Sequence, residues 1–224
     1  VVGLIGPNGA GKTTVFNMLT GIYTPTEGEI KYEDKVINGI KPHKISSMGI
    51  ARTFQNIRLF SSLTVGDNVR ISHTNKTDYN LAEAVLRLPR FFKAEAALDE
   101  KVNALLSLFN LYEKREEKAR NLSYGEQRRL EIVRALATDP KLLLLDEPAA
   151  GMNADESQDL VDFVRQIKDR FHITVLMIEH HMDVVTNLCD SVTVLNFGKT
   201  IAEGTPAEIR TNRAVIDAYL GVEE

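Results

Sequence analysis

Residues 6–14 read GPNGAGKTT, preceded by the apolar run VVGLI at 1–5 and followed by VFNML at 15–19. The stretch fits G-x-x-x-x-G-K-[ST], a pattern that acquires meaning when a strand precedes it and a helix follows. Gly6, Gly9 and Gly11 let the backbone turn tightly and approach a phosphate closely. The loop N–H groups and the positive end of the following helix favour a polyphosphate. The run Gly6, Pro7, Asn8, Gly9, Ala10, Gly11, Lys12, Thr13, Thr14 is therefore assigned to nucleotide phosphates. Lys12 is expected at the β and γ phosphates, the Thr13 hydroxyl on Mg²⁺, and Thr14 on another phosphate. A plain glycine turn is the competing reading, and the flanking strand and helix speak against it.

Outward from this loop, short apolar runs recur at 141–145, 173–178 and 192–197, separated by helical patterns at about 153–170 and 181–189. Such alternation predicts an α/β unit with a parallel sheet. Residues 28–40, GEIKYEDKVINGI, read as a hairpin. Residues 64–138 carry only helical periodicity and read as an insert between early and late strands.

Two of the runs end in chemistry. KLLLLDEP at 141–148 places Asp146 and Glu147 at the C-terminal end of a buried strand, where open α/β sheets bind ligands. Asp146 is expected in the Mg²⁺ shell, and Glu147 is expected to orient or deprotonate the attacking water. VLMIEHH at 175–181 ends in Glu179, His180 and His181. His180 is either a structural histidine or a hydrogen-bond partner of a γ-phosphate. Adjacent histidines without cysteine or spaced carboxylates are no zinc signature. Gln55, in RTFQNIRLF, follows a short strand; spacing alone leaves it between a surface amide and an uncharged contact to water and Mg²⁺.

Composition narrows the class. The chain has 224 residues, 43% hydrophobic and 26% charged, with a net charge of −4, so nothing draws it globally to nucleic acid. One cysteine, Cys189, excludes an intrachain disulfide and reads as a small buried apolar residue. No apolar run approaches the roughly 18 residues of a membrane span, and no signal peptide is visible, so work at a membrane would proceed through a partner. The opening strand has no lead-in, and truncation at the N-terminus is expected. The ending TNRAVIDAYLGVEE reads as a short capped helix that closes in acidic residues.

A second helix start stands at LSYGEQRRLE, 122–131. Ser123 can cap it, Gly125 allows close approach of a phosphate, and bare N–H groups attract an anion. Arg128 and Arg129 interleave with Glu126 and Glu131, which predicts a solvated helix face rather than a nucleic-acid surface.

These motifs, in this order, resemble the ATP-binding subunits of ABC transporters over essentially the whole chain. Residues 6–14 fall on the Walker A loop and 142–147 on Walker B with its catalytic glutamate. Gln55 falls on the Q-loop glutamine, His180 on the switch histidine, and LSYGEQ on the signature usually written LSGGQ. More narrowly, ARTFQNIRLF, LTVGDN, RRLEIVRAL, DEPAAGMN and IDAYLG resemble the LivG-type subunits of branched-chain amino acid importers. Tyr124 and Glu126 depart from the common signature, Asn153 replaces a common aspartate, and His181 replaces the aspartate that often follows the switch histidine.

The resemblance implies an α/β fold of the P-loop NTPase, ABC ATPase type, with a mainly parallel core sheet, an antiparallel β hairpin and a helical subdomain. Residues 1–55 and 139–224 would form the core and 56–138 the helical, signature-bearing part of one domain. It implies ATP and Mg²⁺ as ligands. Glu147, His180 and Gln55 would be catalytic, Thr13, Gln55 and Asp146 would lie at the metal, and Ser123 and Gly125 would contact a nucleotide held by another subunit. The implied partners are a second ABC ATPase subunit, alike or different, two transmembrane permease subunits and, indirectly, an extracytoplasmic binding protein. The implied place is the cytoplasmic face of the plasma (inner) membrane, as a peripheral subunit. The aromatic residue that stacks on adenine would lie upstream of residue 1. Phe54, Leu59 and Phe60 either receive a short helix of the membrane subunit or fill the core. Urea, amide or lipopolysaccharide importers, a soluble ABC ATPase of chromosomes or ribosomes, and a nonhydrolytic nucleotide-binding module are the alternatives.

Overall fold

In the computed structural model, which describes residues 1–73 and 79–220, the loop at 6–14 lies between β1 (Val2–Ile5) and α1 (Lys12–Leu19). There follow β2 (Lys31–Tyr32), β3 (Lys35–Val36), α2 (Pro42–Ser47), β4 (Ile50–Arg52), α3 (Val65–Ser72), α4 (Leu81–Val85), α5 (Pro89–Leu108) and α6 (Tyr124–Leu136). The chain continues through β5 (Leu142–Asp146), α7 (Ala154–Phe171), β6 (Thr174–Ile178), α8 (Met182–Leu188), β7 (Ser191–Asn196), β8 (Lys199–Gly204), α9 (Pro206–Thr211) and α10 (Arg213–Leu220). Residues 74–78 of the expected helical insert, Gly221 of the terminal IDAYLG and the acidic close at 222–224 lie outside the described residues.

Two compact units result, one of Val1–Gln55 with Pro140–Glu224 and one of Asn56–Asp139. The first unit holds a sheet of order β4-β5-β6-β1-β7-β8. All neighbours are parallel except β7 and β8. Parallel strands buried on both faces need continuous apolar sequence, and the leucines of β5 supply it, with Leu143, Leu144 and Leu145 fully buried. Leu4, Phe16, Ile45, Ile50, Leu144 and Ile178 share one core cluster beneath the phosphate loop. The periodicity misses β8 because this strand is a largely solvated edge rather than a buried run.

The expected hairpin forms a separate two-stranded sheet, with Glu33 and Asp34 both at positive φ as a tight two-residue turn requires. α7 begins at Asn153, whose side chain accepts the Glu156 N–H in a capping box. Asparagine caps as well as aspartate, so the departure at this position keeps the helix start. Cys189 is buried and packs against β1, with a Cβ built on Gly3 only 2.9 Å from its Sγ. Burial pushes its thiol up to about 12, and thiolate is the reactive form. Native protein is therefore expected to resist iodoacetamide at pH 8, with one equivalent reacting after denaturation; labelling of Cys189 in the native state would contradict its burial.

Among its described residues the second unit contains helices and two 3₁₀ turns. One expectation fails here. Arg128 is not on a solvated face: its side chain is 0% exposed and its Nη1 donates to Glu131 Oε2 at 2.8 Å, with Glu131 also buried. Interleaved charges cannot distinguish exposed i,i+3 pairs from a pair that neutralises itself inside the unit.

Candidate active site

β1, β5 and β6 are adjacent and parallel, so their C-terminal ends open on one edge of the sheet. Gly6, Glu147 and Glu179 are the residues that follow those ends. At Gly6 a Cβ would come within 2.1 Å of the Leu195 carbonyl oxygen, so the loop can start here only without a side chain. Gly11 is the N-cap of α1, at φ 101, and gives no side-chain cap. The first-turn N–H groups of α1 are thus left for an outside acceptor, whereas α3, α6, α7 and α9 are capped by Thr64, Ser123, Asn153 and Thr205.

Lys12 is buried and folds back on the loop, its Nζ donating to the carbonyls of Gly6 at 2.7 Å and Pro7 at 2.9 Å. Burial lowers its pKa, against the opposing pull of Glu147 and Asp146. Pro7 offers only its carbonyl, having no N–H. Ala10 is buried, and its carbonyl accepts the Gly198 N–H at 3.0 Å, tying the loop to the turn after β7. Asn8, Gly9, Thr13 and Thr14 are exposed.

Glu147 has φ 47, the left-handed region that a side chain with a Cβ seldom adopts. Such strain persists where the surroundings enforce it, and it clusters at functional sites. Here the Glu147 N–H donates to Ile178 O at 2.9 Å, and both carboxylate oxygens are engaged. Gln55 Nε2 donates to Oε2 at 2.7 Å, and His180 Nε2 lies 2.6 Å from Oε1. The residues separated by 92 and 33 positions therefore meet on one carboxylate.

Two supporting residues escaped sequence reasoning. Glu179, with a side chain 1% exposed, accepts the N–H groups of Ala149 at 2.8 Å, His180 at 2.8 Å and His181 at 3.2 Å. It fixes the backbone that carries His180, and the His181 ring joins it through Nδ1 at 3.1 Å. A carboxylate closing an apolar strand was the available signal. The second is Arg52, whose Nη2 donates to Asp146 Oδ2 at 2.8 Å with both side chains buried.

In the second unit, Ser123 starts α6 with a capping box: its Oγ accepts the Glu126 N–H, and Glu126 Oε2 accepts the Ser123 N–H at 3.0 Å. This helix start is less bare than its sequence suggested, because the box engages two of its N–H groups. Lys114 donates to Glu126 Oε1 at 2.7 Å and, with the Ser123 bonds, holds that carboxyl below its ordinary range. The N–H of Gly125 stays outside the box, and a Cβ built on Gly125 meets nothing within 4 Å.

A strand–phosphate loop–helix unit with carboxylates at the neighbouring strand ends defines a P-loop nucleotide-binding fold. Residues 1–150 match the family described as ABC transporter, and the chain belongs to that family. Residues 199–224 match the family described as branched-chain amino acid ATP-binding cassette transporter. The chain is 44% identical over 221 residues to the high-affinity branched-chain amino acid transport ATP-binding protein BraF of Pseudomonas aeruginosa, covering 99% of this chain and 87% of that one. It is 43% identical, with the same coverage, to the protein LivG of that description from Escherichia coli. Among solved structures, the ADP conformation of an ATP-binding cassette of an ABC transporter superposes with a TM-score of 0.84 at 33% identity, covering 99% of this chain and 88% of that one. A nucleotide-free cassette gives 0.83 at 32% identity, covering 100% and 88%.

Proposed function

We propose that the chain is the ATP-binding and ATP-hydrolysing subunit of an ABC importer for branched-chain amino acids. The observation that carries this reading is the meeting of Gln55 and His180 on the strained Glu147 beside an uncapped phosphate loop, in a chain whose relatives are named for that transport. Residues 56–139 serve as the signature-bearing part and the remainder as the nucleotide-binding core.

The N–H groups at the start of α1 and Lys12 hold the phosphates; Lys12 gives up its two carbonyl partners for them. Glu147 takes the proton of the attacking water. For that it must exchange a hydrogen bond from Gln55 or His180 for one from water, and both groups remain at hand to hold water and γ-phosphate. The donor set at this edge fits Mg²⁺: the Thr13 hydroxyl, the Gln55 amide and the Asp146 carboxylate are all oxygen donors. Among the described residues no group of three or more His, Cys, Asp or Glu could hold a metal ion. A cation here would share phosphate oxygens and water, as Mg²⁺ prefers. When bound it supplies neutralisation of charge on the β and γ oxygens.

Gly125 has no conformational or packing demand for glycine within its own unit. The demand for space then comes from outside, which supports a nucleotide held by a second ATPase subunit against Ser123 and Gly125. Two permease subunits and, through them, an extracytoplasmic binding protein complete the assembly, with this chain peripheral at the cytoplasmic face. No helix among the described residues is long and apolar enough to cross a membrane. No nucleic acid takes part.

Phe60 is the contact we assign to the permease. It is 48% exposed, which removes it from the core. Its N–H donates to Asn68 Oδ1 at 2.9 Å, its carbonyl accepts from Asn68 Nδ2 at 3.1 Å, and the Arg134 guanidinium lies 5.7 Å from its ring centroid. A buried amide thus holds an aromatic side chain outward, the form of an interface anchor. Phe60→Asp is expected to abolish branched-chain amino acid uptake in the assembled transporter while the chain still binds ATP with unchanged affinity. Uptake at the wild-type rate would refute the assignment, and a lowered Tm of the isolated chain would show that Phe60 serves its own unit instead.

A further inference from the structure

Arg52 closes β4, three residues before Gln55, in a setting unlike that of any surface arginine of this chain. Its side chain is 7% exposed and lies between two rings, 5.4 Å from the centroid of Phe16 on α1 and 5.3 Å from that of Phe54. Its Nη1 donates to Asn17 Oδ1 at 2.8 Å, on α1, and to Thr20 Oγ1 at 3.3 Å, at the C-cap of that helix. Its Nη2 donates to Asp146 Oδ2 at 2.8 Å, at the end of β5. The backbone repeats the connection, since the Thr53 N–H donates to Leu144 O at 2.9 Å and the Asp146 N–H to Thr53 Oγ1 at 3.4 Å. One planar cation therefore ties together the helix that starts at the phosphate loop, the strand that carries Asp146 and the strand that leads to Gln55.

The geometry points to a specific role: we propose that Arg52 is a positioning residue for the Mg²⁺-side carboxylate, fixing Asp146 Oδ2 and leaving Oδ1 for the shell of the cation. This rests on the assignment of Asp146 to Mg²⁺ made above. The contact is one-sided, since the hydrogen bond from Nη2 falls on Oδ2. A guanidinium suits the task better than an ammonium, because its fixed fork can hold helix and carboxylate at once while its faces stack on the rings. Groups that orient a metal-binding side chain carry much of the metal affinity without touching the metal.

The test is the affinity of the full chain for a fluorescent ATP analogue, titrated in Mg²⁺ and again in EDTA, for wild type, Arg52→Met, Arg52→Lys and Asp146→Asn. The quantity read is the ratio of the two Kd values. Arg52→Met is expected to cut the strengthening by Mg²⁺ about tenfold or more, while the Kd in EDTA stays within about twofold of wild type. Arg52→Lys, which keeps the charge and loses the fork, is expected to fall between. Asp146→Asn is expected to lose the Mg²⁺ effect, and adding Arg52→Met to it should lower the ratio no further, as coupling through one carboxylate requires. Equal weakening in Mg²⁺ and EDTA would reduce Arg52 to a packing residue and overturn the proposal. So would an Arg52→Lys protein with the wild-type ratio, and that variant decides the matter if Arg52→Met does not fold. If Asp146→Asn itself leaves the ratio unchanged, the metal assignment of Asp146 falls; if only the Arg52 variants leave it unchanged, the positioning role alone falls.

Discussion

Glu147→Gln is expected to lower steady-state ATP turnover by at least about a hundredfold, while ATP binding survives and an ATP-bound dimer accumulates. The substitution is nearly isosteric. It keeps an oxygen and a nitrogen where the carboxylate now meets His180 Nε2 at 2.6 Å and Gln55 Nε2 at 2.7 Å. What it removes is basicity, because an amide cannot take a proton from water. The strained backbone at φ 47 is common to both residues, so the local fold has no reason to change. Phosphate release assays measure the turnover, and size-exclusion chromatography with ATP measures the dimer. Hydrolysis at the wild-type rate would remove Glu147 from the chemistry altogether.

Ser123→Arg has an expected effect of similar size, about 10²–10³-fold on hydrolysis, but at a site on a different molecule. The phosphoryl transition state needs positive character near the γ oxygens. Arg52, which meets the sheet end at Asp146, is already committed to that carboxylate. The start of α6 offers the N–H of Gly125 and the positive end of a helix dipole. An arginine side chain at Ser123 would fill that approach. Loss of the N-cap costs about 1 kcal/mol, too little to unfold the chain, and Tm measured alongside controls for it.

Two differently tagged copies of the chain separate the possibilities. If the site is shared, a dimer with Lys12→Ala on one copy and Ser123→Arg on the other keeps one intact site and measurable turnover. With both substitutions on one copy, both sites are hit and turnover is lost. The opposite pattern would place Ser123 at the site of its own chain and end the shared-site reading.

The parts of this protein that were legible in sequence are those written in consecutive residues. The phosphate loop, the leucine run of β5 and the amphipathic α7 each declare themselves within a single element, because periodicity and backbone demands are local. Asn153 was visible as a departure, and its capping of α7 explains why it is tolerated. Arg128 was misread for the same reason that α7 was read correctly. Charge spacing along a helix states which residues share a face, and does not state whether that face is covered. Glu179 and Arg52 went unassigned because each has partners distant in the chain: Ala149 for one, Asn17, Thr20 and Asp146 for the other.

By itself, then, the amino-acid sequence determined the α/β class, the phosphate loop and the family, since each rests on residue types at short fixed spacing. Only the tertiary structure decided which side chains meet. The order β4-β5-β6-β1 places four strand ends side by side, and this brings Gln55 and His180 onto Glu147 and Arg52 onto Asp146. Strand order is set by how helices and strands bury apolar surface together, a global property of the packed chain that no local spacing records.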